Sequence, residues 1–194
     1  MIRVCDILLS LAGVLLTAPV VLLLSLIIPL DSKGSPFFLQ IRVGKNGKDF
    51  RLIKFRTMVK RAEQEGGLTV GARDGRITKV GYFLRKSKLD EIPQLINVLK
   101  GDMSLVGPRP ELRKYVELYT DEQKKVLTVR SGITDWASIG YINENEILGG
   151  SSDPEKTYIE EVLPAKIELN MRFINRPTLN HYFLILGKTV RKMI

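Results

Sequence analysis

The chain has 194 residues, of which 44% are hydrophobic and 26% are charged, and its formal net charge is +9. This length suffices for one domain with a modest core, to which we add a membrane segment. The positive charge indicates an anionic partner, which could be nucleic acid, an anionic membrane surface or a phosphorylated substrate. A lone cysteine, Cys5, excludes an internal disulfide, and a lone histidine, His181, excludes a His-based triad or a multi-histidine metal site.

Residues 7–30 form an uncharged apolar run. As a helix, such a run would reach roughly 36 Å, which is enough to cross the hydrocarbon core of a bilayer. Pro19, which follows Ala18, should kink or break this helix because it removes a backbone hydrogen bond. A cleaved signal peptide is the alternative, but the run is long and no A-x-A-like site precedes Asp31. The basic residues that follow favour the cytoplasmic side for this flank: Lys33, Arg42, Lys45 and Lys48.

A β-hairpin is predicted next. Residues 37–43 and 50–58 have strand character and flank Asn46-Gly47, a strong hairpin signal. On the second strand, Lys54 and Arg56 are two residues apart and would point to one face. By themselves they predict a solvated strand edge. Residues 60–76 are Gly-rich and predict a mobile loop that could act as a lid.

An acidic pair, Asp90-Glu91, opens a segment whose apolar residues recur at helical spacing: Leu89, Ile92, Leu95, Ile96 and Leu99. A short helix is predicted to begin near Asp90, with Pro93 in its first turn. The N-terminus of a helix favours both an ionised carboxylate and phosphate groups. Neighbouring helix residues point about 100° apart, so the two carboxylates should have different roles. The alternative is that they only cap the helix.

Cations flank this acidic pair. Residues 101–104 should end the helix, and residues 106–110 should form a rigid turn in which Pro108 and Pro110 fix the direction of Arg109. A fixed guanidinium suits bidentate phosphate binding. Arg85 is either a snorkelling surface residue or a cation beside the carboxylate. Because the reference pKa of Asp is about 3.9, the Asp90 carboxylate should be ionised near pH 7.

The remaining segments predict helices. Residues 112–125 predict a mostly solvated helix, residues 152–163 a capped helix, and the residues after Pro164 a further helix that ends before Pro177. The last helix carries an apolar stripe, which fits a membrane surface or the core equally well: Leu179, Tyr182, Phe183, Leu186 and Val190. We expect Trp136 to be a core or interface anchor and His181 to be structural.

Several motifs carry a resemblance when taken together and in order. They are residues 54–58 (KFRTM), Arg85, residues 89–91 (LDE), residues 97–104 (NVLKGDMS) and residues 106–110 (VGPRP). They resemble the motifs of bacterial sugar transferases of the small monotopic phosphoglycosyl transferase type, and the match covers nearly the whole chain. Residues 130–138 resemble a second motif, Pro-Gly-Ile-Thr-Gly-Trp-Ala-Gln, but carry Ser131, Asp135 and Ser138 in place of Pro, Gly and Gln. The identity of the sugar therefore cannot be borrowed from a relative.

The resemblance implies an α+β fold that is mostly helical. Residues 1–31 would form a re-entrant membrane helix, broken at Ala18-Pro19, where the family typically has Ser-Pro. Residues 32–194 would form a cytosolic catalytic domain with a β-hairpin and amphipathic interfacial helices. This domain would lie on the cytoplasmic face of the bacterial inner membrane.

The resemblance also implies an activity. The family transfers a sugar-1-phosphate from a UDP-sugar to polyprenyl phosphate and releases UMP, as the first membrane step of glycan assembly. Asp90 would form a covalent phosphosugar intermediate, and Mg²⁺ would be held by Asp90 and Glu91, the latter of which could instead assist proton transfer. Phosphate or substrate would be bound by Lys54, Arg56, Arg85, Pro108, Arg109 and Arg130.

The resemblance also bears on partners. Inner-membrane lipid is one implied partner, and other glycan-assembly enzymes could be further ones. We expect no nucleic acid partner, because the basic residues are spread around an acidic pair and few aromatic residues lie among them. The alternative function is a non-catalytic, basic, membrane-tethered binding or scaffold protein.

Overall fold

The structure is a computed structural model that describes residues 1–59 and 74–193. Its strands are β1 (Phe37–Val43), β2 (Asp49–Phe55), β3 (Met103–Val106) and β4 (Ser131–Thr134). Its helices are α1 (Ile2–Asp31), α2 (Lys79–Lys86), α3 (Gln94–Lys100), α4 (Arg113–Val116), α5 (Trp136–Gly140), α6 (Glu144–Gly149), α7 (Pro154–Thr157), α8 (Leu163–Ile174) and α9 (Leu179–Met193). The expected α+β fold with mostly helical content is confirmed. Most of the predicted Gly-rich loop, residues 60–73, lies outside the described residues.

α1 is a long helix with exposed apolar side chains. By length and composition it could cross a membrane, and only 11% of its most apolar window is buried inside the protein. The helix continues through Ala18 and Pro19, so the predicted break is not an interruption of helical structure. A bend at Pro19 stays a prediction.

The beginning of α1 is fastened to the end of α3. The Arg3 guanidinium donates to the main-chain oxygens of Val98 at 2.6 Å and Leu99 at 3.1 Å. These carbonyls belong to the last turn of α3, where few main-chain N–H groups follow, although Val98 O also accepts from Gly101 N at 3.0 Å. Arg3 therefore acts as a cap that α3 receives from a distant part of the chain.

Asp6 is a second anchor, and it is 98% buried despite its place in an apolar helix, as its relative exposure is 2%. One carboxylate oxygen, Oδ1, accepts hydrogen bonds from the hydroxyls of Ser104 and Tyr182 and from the main-chain N–H of Leu105, each at 2.9 Å. Asp6 therefore joins α1 to both β3 and α9.

Replacing Asp6 with Ala should lower the free energy of unfolding by about 3 kcal/mol, because three donors lose their acceptor at once. For a chain of this size, the melting temperature should fall by roughly 6–12 °C. Thermal unfolding in detergent would measure the change. The control is Asp121→Ala, whose side chain is 98% exposed and whose effect should stay within about 0.5 kcal/mol. Equal melting temperatures for the two variants would contradict the anchoring role.

The far end of α1 also packs on the rest of the chain. Leu24 and Ile28 form a buried cluster with Phe55 of β2 and Leu84 of α2. Between the two anchored ends, the exposed side chains include Leu15, Leu16, Leu22 and Leu23. Both ends of α1 thus contact the same body of protein, while these leucines between them present apolar surface outward.

The predicted hairpin is confirmed. β1 and β2 are antiparallel, with Leu39 opposite Ile53. Asn46 and Gly47 adopt left-handed backbone angles, with φ of 58° and 73°, which is the conformation that makes Asn-Gly a good turn. β2 ends at Phe55, so Arg56 lies just beyond the strand.

A second, parallel pair of strands, β3 and β4, was not predicted from the sequence. Met103 lies opposite Ser131 and Val106 opposite Thr134. Directly after β3, the main chain passes very close to β4. A Cβ atom on Gly132 would lie only 2.1 Å from the main-chain nitrogen of Gly107. Only glycine fits at this approach, which brings the turn that carries Arg109 against residues 130–138.

The later helices differ from the prediction in two respects. Residues 112–125 do not form one solvated helix: α4 has a single turn, and Tyr115, Val116 and Tyr119 are buried, because their apolar surface is large enough to enter the core. Residues 154–174 form one helical run through a π-helical turn at Tyr158–Val162, rather than two helices. Pro164 is tolerated because it lies in the first turn of α8.

α9 has one buried and one exposed side, so its apolar stripe is compatible with packing on the core and with a surface role. Tyr182 and Ile185 are fully buried, whereas Phe183, Leu184 and Val190 are about half exposed. One side of the helix packs on the core, and the other presents apolar surface outward.

Trp136 and His181 meet beside this helix. The Trp136 indole donates to His181 Nε2 at 2.7 Å. The Trp136 side chain also packs against a cluster of buried apolar residues. Both observations agree with the structural roles expected for these two residues.

Candidate active site

Asp90 and Glu91 lie in a single 3-10 turn, Leu89–Glu91, that precedes α3. The sequence placed them in the first turn of α3, whereas Pro93 is in fact its N-cap. Lys88, which has a left-handed φ of 57°, starts this tight turn. The turn sends the two carboxylates to different surroundings, in agreement with the expectation of different roles.

Asp90 is a buried carboxylate whose relative exposure is 8%. Among the described residues, no hydrogen bond to its side chain is found. Burial raises the pKa of Asp90; Lys54 opposes that shift, Glu91 adds to it, and Arg85 and Arg109 oppose it. Asp90 is therefore a buried carboxylate on which three cations act electrostatically, and no described residue donates a hydrogen bond to its side chain.

Glu91 is, by contrast, fully engaged by cations. Its Oε1 is 2.5 Å from Arg109 Nη2 and 3.2 Å from Lys54 Nζ, and its Oε2 is 3.3 Å from Arg109 Nη1. Burial alone would raise the pKa of Glu91, but Arg109 and Lys54 outweigh it and hold this pKa far below its usual range. Glu91 therefore stays ionised and fixes the direction of both cations.

Arg109 is held at both its main chain and its side chain. Its N–H donates to Asp135 Oδ2 at 3.0 Å, while its guanidinium forms the two-pronged contact with Glu91. Glu91 is the main cause that raises the pKa of Arg109. The predicted fixed direction of this guanidinium is present, although the contacts to Asp135 and Glu91 were not anticipated.

Lys54 and Arg56 do not share one face. Lys54 reaches Glu91 from β2, whereas the Arg56 guanidinium donates to the main-chain oxygens of Ser32 and Lys33, just after α1. The two diverge because Arg56 lies beyond the end of the strand. Of these two cations, Lys54 is the one that contacts the acidic turn in this structure.

Arg85 lies near the acidic turn, at the end of α2. Its Nε donates to the Thr57 hydroxyl at 2.8 Å, and its charge lowers the pKa of Asp90 against the effect of burial. Arg85 is half-buried, and its role as a cation for phosphate stays a prediction.

Pro108 and Arg130 contact other parts of the chain. The Pro108 main-chain oxygen accepts from Gly132 N at 2.9 Å, which fastens the Arg109 turn to β4. Arg130 Nε donates to the Gly101 main-chain oxygen at 2.9 Å. Gly101 follows the last residue of α3, so Arg130 is at the opposite end of this helix from Asp90.

A cavity of about 420 Å³ opens beside Glu91 and Arg109. Its walls include Ile139 of α5, Glu144 of α6 and Lys166 of α8. Lys166 is buried, and its Nζ is 2.8 Å from Glu144 Oε2. The sequence analysis missed Lys166 because it belongs to no motif, although a lysine among the apolar residues of a helix is a signal worth noting.

The residues present allow a limited test of Mg²⁺ binding. In residues 1–59 and 74–193, no group of three or more His, Cys, Asp and Glu side chains that could hold a metal ion is found. Mg²⁺ is commonly bound through one or two carboxylates together with substrate phosphates, so Asp90 alone fits this pattern. Glu91 does not, as long as Lys54 and Arg109 occupy its oxygens.

The chain thus combines an exposed apolar helix with a buried carboxylate on which several cations act. A model of the family described as bacterial sugar transferase matches residues 1–194. The chain belongs to this family, and the resemblance drawn from its motifs is confirmed.

Curated relatives agree with this assignment. The chain is 39% identical over 195 residues to a UDP-N-acetylgalactosamine-undecaprenyl-phosphate N-acetylgalactosaminephosphotransferase from Aeromonas hydrophila, covering 99% of this chain and 43% of that protein. It is 42% identical to a UDP-glucose:undecaprenyl-phosphate glucose-1-phosphate transferase from Escherichia coli, covering 89% of this chain and 35% of that protein. A putative undecaprenyl-phosphate N-acetylgalactosaminyl 1-phosphate transferase from Bacillus subtilis is 43% identical, covering 62% and 67%. The chain thus spans less than half the length of the first two.

Proposed function

We propose that this chain transfers a sugar-1-phosphate from a UDP-sugar to polyprenyl phosphate, most simply undecaprenyl phosphate, and releases UMP. This would be the first membrane step in the assembly of a glycan. The observation that carries the proposal is Asp90, a buried carboxylate without a hydrogen bond among the described residues, whose pKa Lys54, Arg85 and Arg109 lower against the effect of burial. Family membership and the names of the relatives support the same chemistry.

In the first step, an Asp90 carboxylate oxygen attacks the phosphorus that bears the sugar. A bond between this oxygen and phosphorus forms while the bond from phosphorus to the bridging oxygen breaks, and UMP leaves with that oxygen. Desolvation favours this attack because a buried carboxylate keeps less of the hydration that would weaken it as a nucleophile.

In the second step, a phosphate oxygen of the polyprenyl acceptor attacks the same phosphorus. The bond to Asp90 breaks, so the carboxylate is regenerated and the product is a polyprenyl diphosphate sugar. Lys54, Arg85 and Arg109 would offset the negative charge of the phosphates in both steps. Because Lys54 and Arg109 are fixed by Glu91, little reorganisation would be needed as charge develops.

Mg²⁺ remains part of this proposal. When bound, it would reduce the repulsion between a carboxylate and a diphosphate. Asp90 would hold it together with the donor phosphates. Glu91 would position Lys54 and Arg109 instead of binding the metal, which revises the role expected from the sequence.

The anchoring of α1 supports re-entry into the membrane. A helix that spans a bilayer has ends on opposite sides, yet both ends of α1 contact the same body of protein. A helix that dips into one leaflet and returns accounts for this arrangement, and Pro19 would supply the bend. We place this domain on the cytoplasmic face of the inner membrane, where nucleotide sugars are available.

The pH dependence follows from the burial of Asp90. Its raised pKa means that the carboxylate is protonated, and thus not nucleophilic, at a higher pH than an ordinary Asp. We expect the acid limb of kcat/KM, measured for the free enzyme by UMP release, to lie above the ordinary value of about 3.9. A limb at or below that value would contradict the proposed nucleophile.

The proposed reaction is tested by the nucleotide that is released. Detergent-solubilised protein would be incubated with Mg²⁺, polyprenyl phosphate and a panel of UDP-sugars, and UMP and UDP would be measured separately. UMP release with one sugar identifies phosphoglycosyl transfer and its donor. UDP release would mean ordinary glycosyl transfer. No release from folded protein across the panel would favour the binding or scaffold alternative.

A further inference from the structure

Asp135 is a buried residue whose two carboxylate oxygens bind three different parts of the chain. It is 2% exposed, and it stands where the motif described above has glycine. Its Oδ1 accepts from Ser138 N at 2.5 Å, which caps α5. Its Oδ2 accepts from Asn170 Nδ2 at 2.9 Å and from Arg109 N at 3.0 Å.

These contacts divide into two tasks. Capping α5 uses one oxygen and would be done equally well by a serine at this position. The second oxygen, by contrast, joins the Arg109 main chain to α8 and so to the core. A glycine would leave both donors without this acceptor, and buried N–H groups are costly to leave unpaired.

We propose that Asp135 is a positioning residue that acts on the substrate phosphates through Arg109. Two carboxylates hold Arg109. Asp135, which is itself bonded to Asn170, holds the main chain of Arg109, and Glu91 holds its guanidinium. A cation that is clamped twice keeps one direction as the phosphates arrive and leave. This role rests on the proposed function only as far as Arg109 meets substrate phosphate.

The informative variant is Asp135→Ser, because serine keeps the α5 cap but is too short and has too few oxygens to reach Arg109 as well. The matched control is Asp153→Ser, which makes the same change at another capping aspartate, where Asp153 Oδ1 accepts from Lys156 N at 3.0 Å. Asp135→Asn is a second variant that conserves volume. Its single amide oxygen can serve α5 or Arg109 but not both.

The first measurement does not depend on activity. Phenylglyoxal modifies accessible arginine side chains, and peptide mass spectrometry reports the rate at each site. We expect the rate at Arg109, which is 33% exposed, to rise roughly tenfold in Asp135→Ser and roughly threefold in Asp135→Asn. The rate at Arg113, which is 46% exposed, should not change, and Asp153→Ser should change neither. Wild-type rates at Arg109 in folded Asp135 variants would overturn the proposal.

The second measurement uses the reaction. Asp135→Ser should lower kcat for UMP release about tenfold and change KM by less than about threefold, because the loss is one of alignment in the transition state. In an Arg109→Ala background, Asp135→Ser should have no further effect, since it acts through Arg109. A further tenfold loss in that background would overturn the proposal. If the wild type releases no UMP, the proposed function fails, and the modification rates still decide the role of Asp135.

Discussion

Replacing Asp90 with Asn should reduce the rate of UMP release by on the order of 10³-fold or more, because an amide cannot form the proposed bond to phosphorus. The variant should be no less stable than the wild type. Burial raises the pKa of Asp90, so the folded protein disfavours its charged form, and the neutral amide removes that penalty. Single-turnover UMP release and thermal unfolding of the same samples would measure both effects.

The stability change has a definite pH dependence. A raised pKa means that the cost of the Asp90 charge is absent below the unfolded pKa of about 3.9 and is complete above the folded pKa. The gain in stability from Asp90→Asn should therefore appear as the pH rises from 4 toward 7. Asp102→Asn, at the other end of α3, is the matched control and should change activity less than about threefold. An active Asp90→Asn enzyme would rule out a covalent intermediate on this residue.

Replacing Glu91 with Gln should damage stability and activity together. The change leaves the charges of Lys54 and Arg109 without their carboxylate. Breaking a fully buried pair costs about 3–5 kcal/mol, and we expect about 2 kcal/mol here because Arg109 is 33% exposed. The melting temperature should fall by roughly 4–8 °C. UMP release should fall about 100-fold, because both cations lose their fixed direction.

The pH profile separates this prediction from the one for Asp90. The pKa of Glu91 is lowered in the folded protein, so its contribution to stability is complete above the unfolded pKa of about 4.3 and is lost as the pH falls toward the folded pKa. The difference between the wild type and Glu91→Gln should therefore shrink in acid. Glu155→Gln removes the exposed partner of Lys114 and should have little effect at any pH. A variant with wild-type stability at pH 7 would show that the cations do not depend on Glu91.

Local sequence signals were sufficient for several parts of this protein. Asn46-Gly47 predicted the hairpin, and the apolar run predicted α1, because turn chemistry and hydrophobicity act over a few residues. The acidic pair and Arg109 were singled out for similar reasons, and the structure brings Glu91 and Arg109 into contact. Residues 112–125 were not, since their burial depends on partners elsewhere in the chain.

The contacts that complete the site are nonlocal. Asp6 and Tyr182 are in contact although they are 176 positions apart in the sequence, and Glu91 contacts Lys54, which is 37 positions away. The local sequence around these residues contains no pattern that predicts such a distant partner. From the sequence, Glu91 was a candidate for metal binding or proton transfer, whereas the structure pairs it with two cations.

The buried Asp6 bears on how deeply the protein can sink into lipid. A carboxylate that is held by Ser104, Leu105 and Tyr182 cannot follow α1 into a hydrocarbon layer without losing all three partners. In a re-entrant arrangement, insertion would stop at the same residue whatever the hydrophobic thickness of the bilayer. Asp90 would then stand at a fixed height above the lipid surface, and thicker or thinner bilayers would deform around the protein instead of moving its active site.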